Sequence, residues 1–267
     1  VATESADERL ARVLESMPEE AKARYPARNP QQPLAFFGIE PGMTVVEGLP
    51  GGGWYTKILI PYLGSEGKVI GVDYALEMLP LFGFFSEERL EAKKTWVADW
   101  TEGAQEWRGD DSAEVSAFVF GSMPEEVAGT ADAVLMIRAL HNLNRFEGEG
   151  GYRTAALSNA YDVLKPGGVL GIVQHWGPDG NPDEWADGSK GYLKKGAVIA
   201  TVEAAGFELV DESDINVNAL DEPTAEDIVW RLPPTMATSR DNEELRAQMI
   251  AIGESNRMTL KFRKPAM

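Results

Sequence analysis

MTVVEGLPGGGWYTKILIPYLGSEGKVIGVD, residues 43–73, is the stretch that decides the fold. It opens on a short β-rich run, MTVVEG (43–48), and passes into LPGGG (49–53), whose glycines let the backbone turn tightly and approach a ligand closely. WYTKILIPYLG (54–64) then reads as a helix and KVIGVD (68–73) as a second strand, so the stretch is a βαβ unit. A helix starting just after a glycine turn presents unpaired N–H groups and the positive end of its dipole, which suits a nucleotide-like cofactor. Asp73 ends the second strand 20 residues past Gly53, where an acidic side chain can accept both hydroxyls of a ribose. The alternative is a plain glycine-rich βα turn followed by a solvent-facing Asp73.

Downstream, VSAFVF (115–120), DAVLMIR (132–138) and VLGIVQHW (169–176) are further apolar, β-rich runs, the last preceded by a helix over 152–164. Five strands with helices between them predict an α/β, doubly wound, mostly parallel sheet. GPDGNPDEWADGSKG (177–191) is a polar loop long enough to be functional or mobile. A helix over 197–206, a strand over 207–213, a long insertion at about 214–256 and a final strand RMTLKFR (257–263) complete the pattern. Upstream, residues 4–17 have the spacing of an amphipathic helix acting as lid or brace, and 18–33, with four prolines, read as a loop. A short helix closed by Gly38 follows. Within 75–111, SEERLEAKK reads as helix, while TWVADW (95–100) reads as a strand or an aromatic-rich loop. The expected organisation is an N-terminal helix and connecting loop (1–33) and one domain (34–267) carrying the insertion.

The chain has 267 residues with 43 Asp plus Glu against 25 Lys plus Arg, a net charge of −18. Such a surface repels a phosphate backbone, so no nucleic-acid partner is expected. The absence of cysteine excludes thiolate zinc, iron–sulfur and Cys-nucleophile chemistry. Neither histidine sits in an H-x-x-x-H pair or beside a tight carboxylate triad, so no metal site is expected. The longest apolar runs are about five residues against the roughly 18 of a membrane helix, so no membrane span is expected.

No Lys-Ser/Thr follows the glycines, which disfavours a nucleoside triphosphate. Thr56 stands at the third position of the dinucleotide fingerprint, which argues against a nicotinamide-dependent oxidoreductase. Glu47, four residues before Gly51, suits a cofactor bearing an ammonium group. VVEGLPGGGWYTKIL, the acid of GVDY, LKPGG (164–168) before an apolar strand and AAGFELV (204–210) together resemble the class I S-adenosylmethionine-dependent methyltransferases, over about residues 34–263. LAFFGIEPGMTVVE, PGGGWYT, IRALHN, the Gln-His after the fifth strand, RLPPT and IGESNRMTLKF resemble more narrowly a bacterial group of predicted methyltransferases. The resemblance implies a Rossmann-like fold with seven strands, mostly parallel with the last antiparallel, helices on both faces, and S-adenosylmethionine across the carboxyl ends of the first two strands. By position it places Glu47, Gly51, Gly52 and Gly53 at the methionine end, with Pro50 and Tyr55 also among the cofactor-binding residues. It places Asp73 on the ribose, Tyr74 over the adenine, and Gly121, Ser122 and Met123 at the adenine edge. The chain departs from the usual E/D-x-G-x-G-x-G at its first glycine, which is Leu49.

The two histidines mark the expected reaction centre. Arg138, His141 and Asn142 follow the fourth strand and His175 and Trp176 the fifth, at the carboxyl ends where open α/β sheets bind ligands. A neutral imidazole there can take a proton from an acceptor oxygen or nitrogen; either histidine can instead be a structural residue holding a loop. Arg138 is expected to pair with Glu47 or Asp132, or else to bind a carboxylate on substrate or cofactor. Tyr192 joins the candidate catalytic groups, and Trp54, Asn142 and Trp176 the substrate pocket. Methyl transfer to a small-molecule acceptor with a His general base is the expected function. The alternative is the same scaffold without methyl transfer, as a binding protein or an enzyme of another reaction. Use of S-adenosylmethionine favours a cytoplasmic location; an exported one fits a chain that starts at Val1 and the secretion signals of the resembling group.

Overall fold

In the computed structural model, which describes residues 4–266, Val45 and Val46 sit on opposite faces of strand β1 (Thr44–Gly48), and both faces are roofed by helices. Burial on both sides is what a parallel strand flanked by helices requires, and β1 and β2 (Lys68–Asp73) are each buried at every residue but the first. The remaining strands are β3 (Glu114–Val119), β4 (Ala131–Ile137), β5 (Leu164–His175), β6 (Glu208–Ser213) and β7 (Arg257–Arg263). Their order in the sheet is β3-β2-β1-β4-β5-β7-β6. β1 runs parallel to β2 and β4, and β7 antiparallel to both β5 and β6. The seven-stranded, mostly parallel sheet with its last strand reversed is therefore present as expected. The order turns back between β1 and β4, which opens a crevice at their carboxyl ends.

Helices α1 (Ala6–Ser16), α2 (Glu19–Lys22), α3 (Tyr25–Arg28) and α4 (Gln31–Phe36) precede β1, and α5 (Thr56–Leu63) follows it. α6 (Glu87–Lys93) and α7 (Trp96–Gln105) connect β2 to β3; α8 (Leu140–Arg145), α9 (Glu147–Gly150) and α10 (Tyr152–Val163) connect β4 to β5. α11 (Lys195–Ala204) leads to β6 and α12 (Glu243–Ile252) lies in the excursion before β7. One core layer joins Leu10, Leu34, Leu59 and Trp100 to Val45 and Leu135; the other joins Leu157, Ala160 and Val202 to Val46 and Val134. α1 begins in a capping box, Ser5 with Glu8, and braces α5 through Arg9, whose guanidinium donates to the Pro61 carbonyl at 2.7 Å.

Two expectations need correction. Residues 18–33 are not a loop but α2, α3 and the start of α4. Pro18, Pro26, Pro30 and Pro33 all stand at caps or in first turns, where no intrahelical acceptor is needed. TWVADW is neither strand nor loop but the start of α7. Trp96 and Trp100, four apart, stack at 5.7 Å on one helix face. Trp100 lies flat against Gly71 of β2, where an added Cβ would meet its indole at 2.7 Å. Gly71→Ala is therefore expected to lower stability by about 1–3 kcal/mol in urea denaturation, and to cost much less in a Trp100→Leu background. An equal cost in both backgrounds would show that the indole is not the obstacle.

Candidate functional site

The turn after β1 carries left-handed backbone at alternate residues, Leu49 (φ 56°), Gly51 (φ 54°) and Gly53 (φ 81°). These are the three fingerprint positions, so the loop keeps the glycine conformation even where the residue is leucine, at a cost of about 1–2 kcal/mol. The Leu49 N–H donates to the Val72 carbonyl at 2.7 Å and its side chain packs on the core, which holds the strained residue in place. At Gly53 a Cβ would meet the Trp107 indole at 2.6 Å, while nothing approaches within 4 Å of one at Gly52. Glu47, buried beneath the loop, accepts a short hydrogen bond from the Thr56 hydroxyl, and burial pushes its carboxyl up to about 7.

Beside this loop lies a cavity of about 620 Å³ that His141 and His175 both line, their rings 5.2 Å apart. The Gln174 amide nitrogen donates to the Gly191 carbonyl at 2.9 Å, so its oxygen faces His141. There it accepts from the His141 backbone N–H at 3.2 Å and from ring Nδ1 at 3.4 Å. The network thus leaves a free lone pair on His141 Nε2. His175 is set the other way. The Ser255 hydroxyl accepts from Arg257 Nε at 3.2 Å and lies within hydrogen-bond reach of His175 Nδ1; when it donates there, His175 Nε2 carries the ring proton. Burial pushes His141 down to about 4 and His175 well below its usual range, so both rings are neutral at pH 7.

Arg138, the residue after β4, has a left-handed conformation (φ 57°), its N–H donating to the Val173 carbonyl at 2.6 Å. The expected pairing with Glu47 or Asp132 is absent. Glu47 is taken by Thr56, and Asp132 by Lys165 at 2.7 Å and the Thr44 N–H at 2.8 Å. Three further arginines come from remote segments: Arg24, Arg28 and Arg257 all engage the buried Glu254. Arg28 also lies over the Trp54 ring at 4.7 Å.

No family model matches the sequence, and no curated protein matches it. Among solved structures, it is similar to the (4+2)-cyclase SpnF at 16% identity, over 90% of this chain and 81% of that one, with TM-score 0.55. It is similar to geranyl diphosphate C-methyltransferase from Streptomyces coelicolor at 14% identity, over 92% and 83%, with TM-score 0.53. A third match is a SAM-dependent methyltransferase from Aquifex aeolicus, at 17% identity over 93% and 98%, with TM-score 0.50. The fold is that of the class I S-adenosylmethionine-dependent methyltransferases.

Within this methyltransferase fold, Pro50, Gly51, Gly52, Trp54, Arg138, His141 and His175 meet in one cavity. Other expected residues lie elsewhere. Asp73 accepts from Lys93 at 2.6 Å and from the Tyr74 N–H at 2.8 Å, so the carboxylate expected to hold ribose is engaged by α6. Tyr74 packs on Phe82 (5.4 Å), and its hydroxyl accepts from Asn142 at 3.0 Å, which keeps Asn142 out of the cavity lining. Gly121 borders a separate hollow of about 140 Å³, and neither Ser122 nor Met123 lines either space. Tyr55 is buried edge-on against Trp54 at 4.8 Å.

Two expected roles are corrected by the packing. Tyr192 is wholly buried; its hydroxyl donates to Asp221 at 2.9 Å and accepts from Arg231 at 2.9 Å, which makes it a structural group. Trp176 lies under Lys195 (4.5 Å), outside the cavity wall. Sequence reasoning missed Arg24, Arg28, Ser255 and Arg257, although IGESNR had been singled out as a string. Among the described residues no group of three His, Asp or Glu is arranged to hold a metal, and no helix is long and apolar enough to cross a membrane.

The buried carboxyl and the buried imidazoles oppose each other in pH dependence. Glu47, raised from 4.5 to about 7, contributes stability that is lost as pH rises through 7; the histidines contribute stability lost as pH falls from 6.5 towards 4. Glu47→Gln keeps the Thr56 hydrogen bond and removes the titration. It is expected to gain stability over the parent from pH 5 to pH 8, by at most about 3 kcal/mol in denaturation at each pH. A difference that stays flat across that range would place a compensating cation on Glu47.

Proposed function

We propose that the protein transfers a methyl group from S-adenosylmethionine to an oxygen or nitrogen of a small-molecule acceptor, with His141 as general base. The observation that supports this most directly is the shared cavity at the carboxyl ends of β1, β4 and β5. The left-handed glycine loop and two neutral imidazoles open onto the same space. Glu47 would face the cofactor's ammonium, which favours its ionised form, while the exposed backbone of Gly51 and Gly52 would line the methionine chain. Asp73 would take the ribose hydroxyls in exchange for Lys93, whose partly exposed side chain has solvent to retreat into. The bound cofactor supplies an electrophilic methyl group on a sulfonium.

His141 Nε2 would accept the acceptor's proton, and His175 Nε2–H would hold the acceptor's heteroatom in place. Arg138 is one of the groups that hold His141 low, after burial itself, so an anion docked on Arg138 would raise the basicity of the imidazole. The acidic exterior argues for a small-molecule partner and against nucleic acid. The Lys93–Asp73 ion pair favours a second reading, the same scaffold without methyl transfer, and a cyclase is among the proteins of similar fold.

Calorimetry with S-adenosylmethionine and S-adenosylhomocysteine separates the two readings: both ligands are expected to bind, with Asp73→Asn weakening them about tenfold. No heat from either ligand at millimolar concentration removes the methyl-transfer reading. Incubating the protein and cofactor with a metabolite extract should show one compound gaining the mass of a methylene. With that acceptor, His141→Ala is expected to lower turnover by about 10² or more at unchanged cofactor affinity, and His175→Ala by less. Unchanged turnover in His141→Ala would end its role as base.

A further inference from the structure

The chain carries a net charge of −18, yet the wall of its main cavity is cationic. Arg24, Arg28, Arg138, Arg257 and Lys57 line it, and Glu20, an exposed residue, is the only acid that does. Glu254, just behind the wall, is shared by three of the arginines. The other titratable groups facing this wall are His141 and His175, both neutral, and the buried Tyr55 phenol. The cluster therefore holds more positive charge than its one buried carboxylate balances.

Arg138 has neither an ion pair nor a side-chain hydrogen bond among the described residues. Burial works against its charge, with Arg257 and Arg28 adding to the effect, and holds its pKa down at about 9, so it is still cationic at pH 7. The guanidinium is half-buried at the cavity wall, so its five donors are open to a ligand's acceptors. Its strained backbone, pinned to Val173, fixes the base of the side chain at the β4 terminus. The planar fork matches the two oxygens of a carboxylate or phosphate. Apolar groups complete the lining. Trp54, Trp230, Val229 and Leu232 line the same cavity, Trp230 lying 5.9 Å from the His141 ring. At about 620 Å³ the space suits a small molecule and not a polymer.

We propose that this cavity selects a small amphiphilic molecule whose carboxylate or phosphate docks on Arg138 while its apolar body packs against the tryptophans of the same lining, Trp54 and Trp230. That this molecule is the methyl acceptor rests on the methyl-transfer reading; the anion site stands on the cavity alone. Arg28 and Arg257, committed to Glu254, act as fixed positive charge behind the contact.

The test titrates the full-length protein with benzoate, phenyl phosphate and uncharged benzamide by calorimetry. At least one anion is expected to bind about tenfold or more tighter than benzamide, and the tighter of the two names the group. Arg138→Gln is expected to abolish that preference while S-adenosylhomocysteine affinity stays within about twofold. Arg138→Lys, which keeps the charge and loses the fork, should retain part of it. The proposal is overturned if benzamide binds as well as both anions in the wild type, a result that needs no variant. It is also overturned if the preference survives Arg138→Gln, or if that change weakens S-adenosylhomocysteine as much as the anion, which would assign Arg138 to the cofactor's carboxylate. Anion binding that depends on Arg138 without any cofactor binding would sink methyl transfer and leave this site standing. Cofactor binding without anion preference would do the reverse.

Discussion

One buried carboxylate, Glu254, organises the mouth of the sheet. Its two oxygens receive Arg24 and Arg28 from the N-terminal helices, at 3.4 and 3.5 Å, and Arg257 from the start of β7. Burial works against its charge, but Arg257 and Arg28 outweigh that, and the carboxyl is held below its usual range. The cluster joins segments about 230 residues apart in sequence and so fastens the N-terminal helices to the far half of the sheet. It also reaches the imidazole pair, because Arg257 donates to Ser255 and the Ser255 hydroxyl is hydrogen-bonded to His175 Nδ1. Removing one member of a buried ionic group strands the others at a cost of about 3–5 kcal/mol. Stability and the chemistry of the imidazole therefore depend on the same ions.

The glycine loop shows a second constraint, in which backbone conformation outlasts the residue that usually permits it. Leu49 holds a left-handed φ because its N–H is bonded to β2 and its side chain is packed, so the turn leaves β1 in the same direction as a glycine would. The leucine side chain then becomes part of the cavity wall. The covering segment after β5 is equally determined. A Cβ at Gly188 would collide with the His141 carbonyl, Trp185 stacks on Tyr192 at 5.0 Å, and Tyr192 comes edge-on to the His175 ring at 6.3 Å, so this segment packs closely beside the two histidines.

The sheet was legible because its information is local. A run of β-branched residues, a glycine turn and an apolar helix suffice to identify β1, α5 and β2, and the two histidines could be placed from strand ends alone. TWVADW misled because tryptophan favours strands, whereas the deciding fact, Trp100 lying on Gly71, is a contact between distant segments. The prolines of 18–33 marked helix starts and read as breaks. The arginine cluster had no signal of this kind: Arg24 and Arg28 stand four apart, but no spacing links them to Arg138 or Arg257, and only folding brings the four together. Lys93 was hidden for a related reason, since on sequence α6 reads as a solvated charged helix and nothing points one of its lysines at Asp73.

The distribution of charge by place reconciles an acidic protein with a cationic cavity. At physiological ionic strength the field of surface carboxylates decays over about 8 Å, so the exterior charge acts on whatever lies along the surface. A polyanion must lie there and meets repulsion over its whole length. A ligand small enough to enter leaves that field and meets arginines in a medium of lower dielectric, where each contact is stronger and less screened by salt. The same charge pattern thus discriminates by size as well as by sign. It ties the selectivity of the cavity to Arg138, the half-buried arginine of the wall that has no ion pair among the described residues.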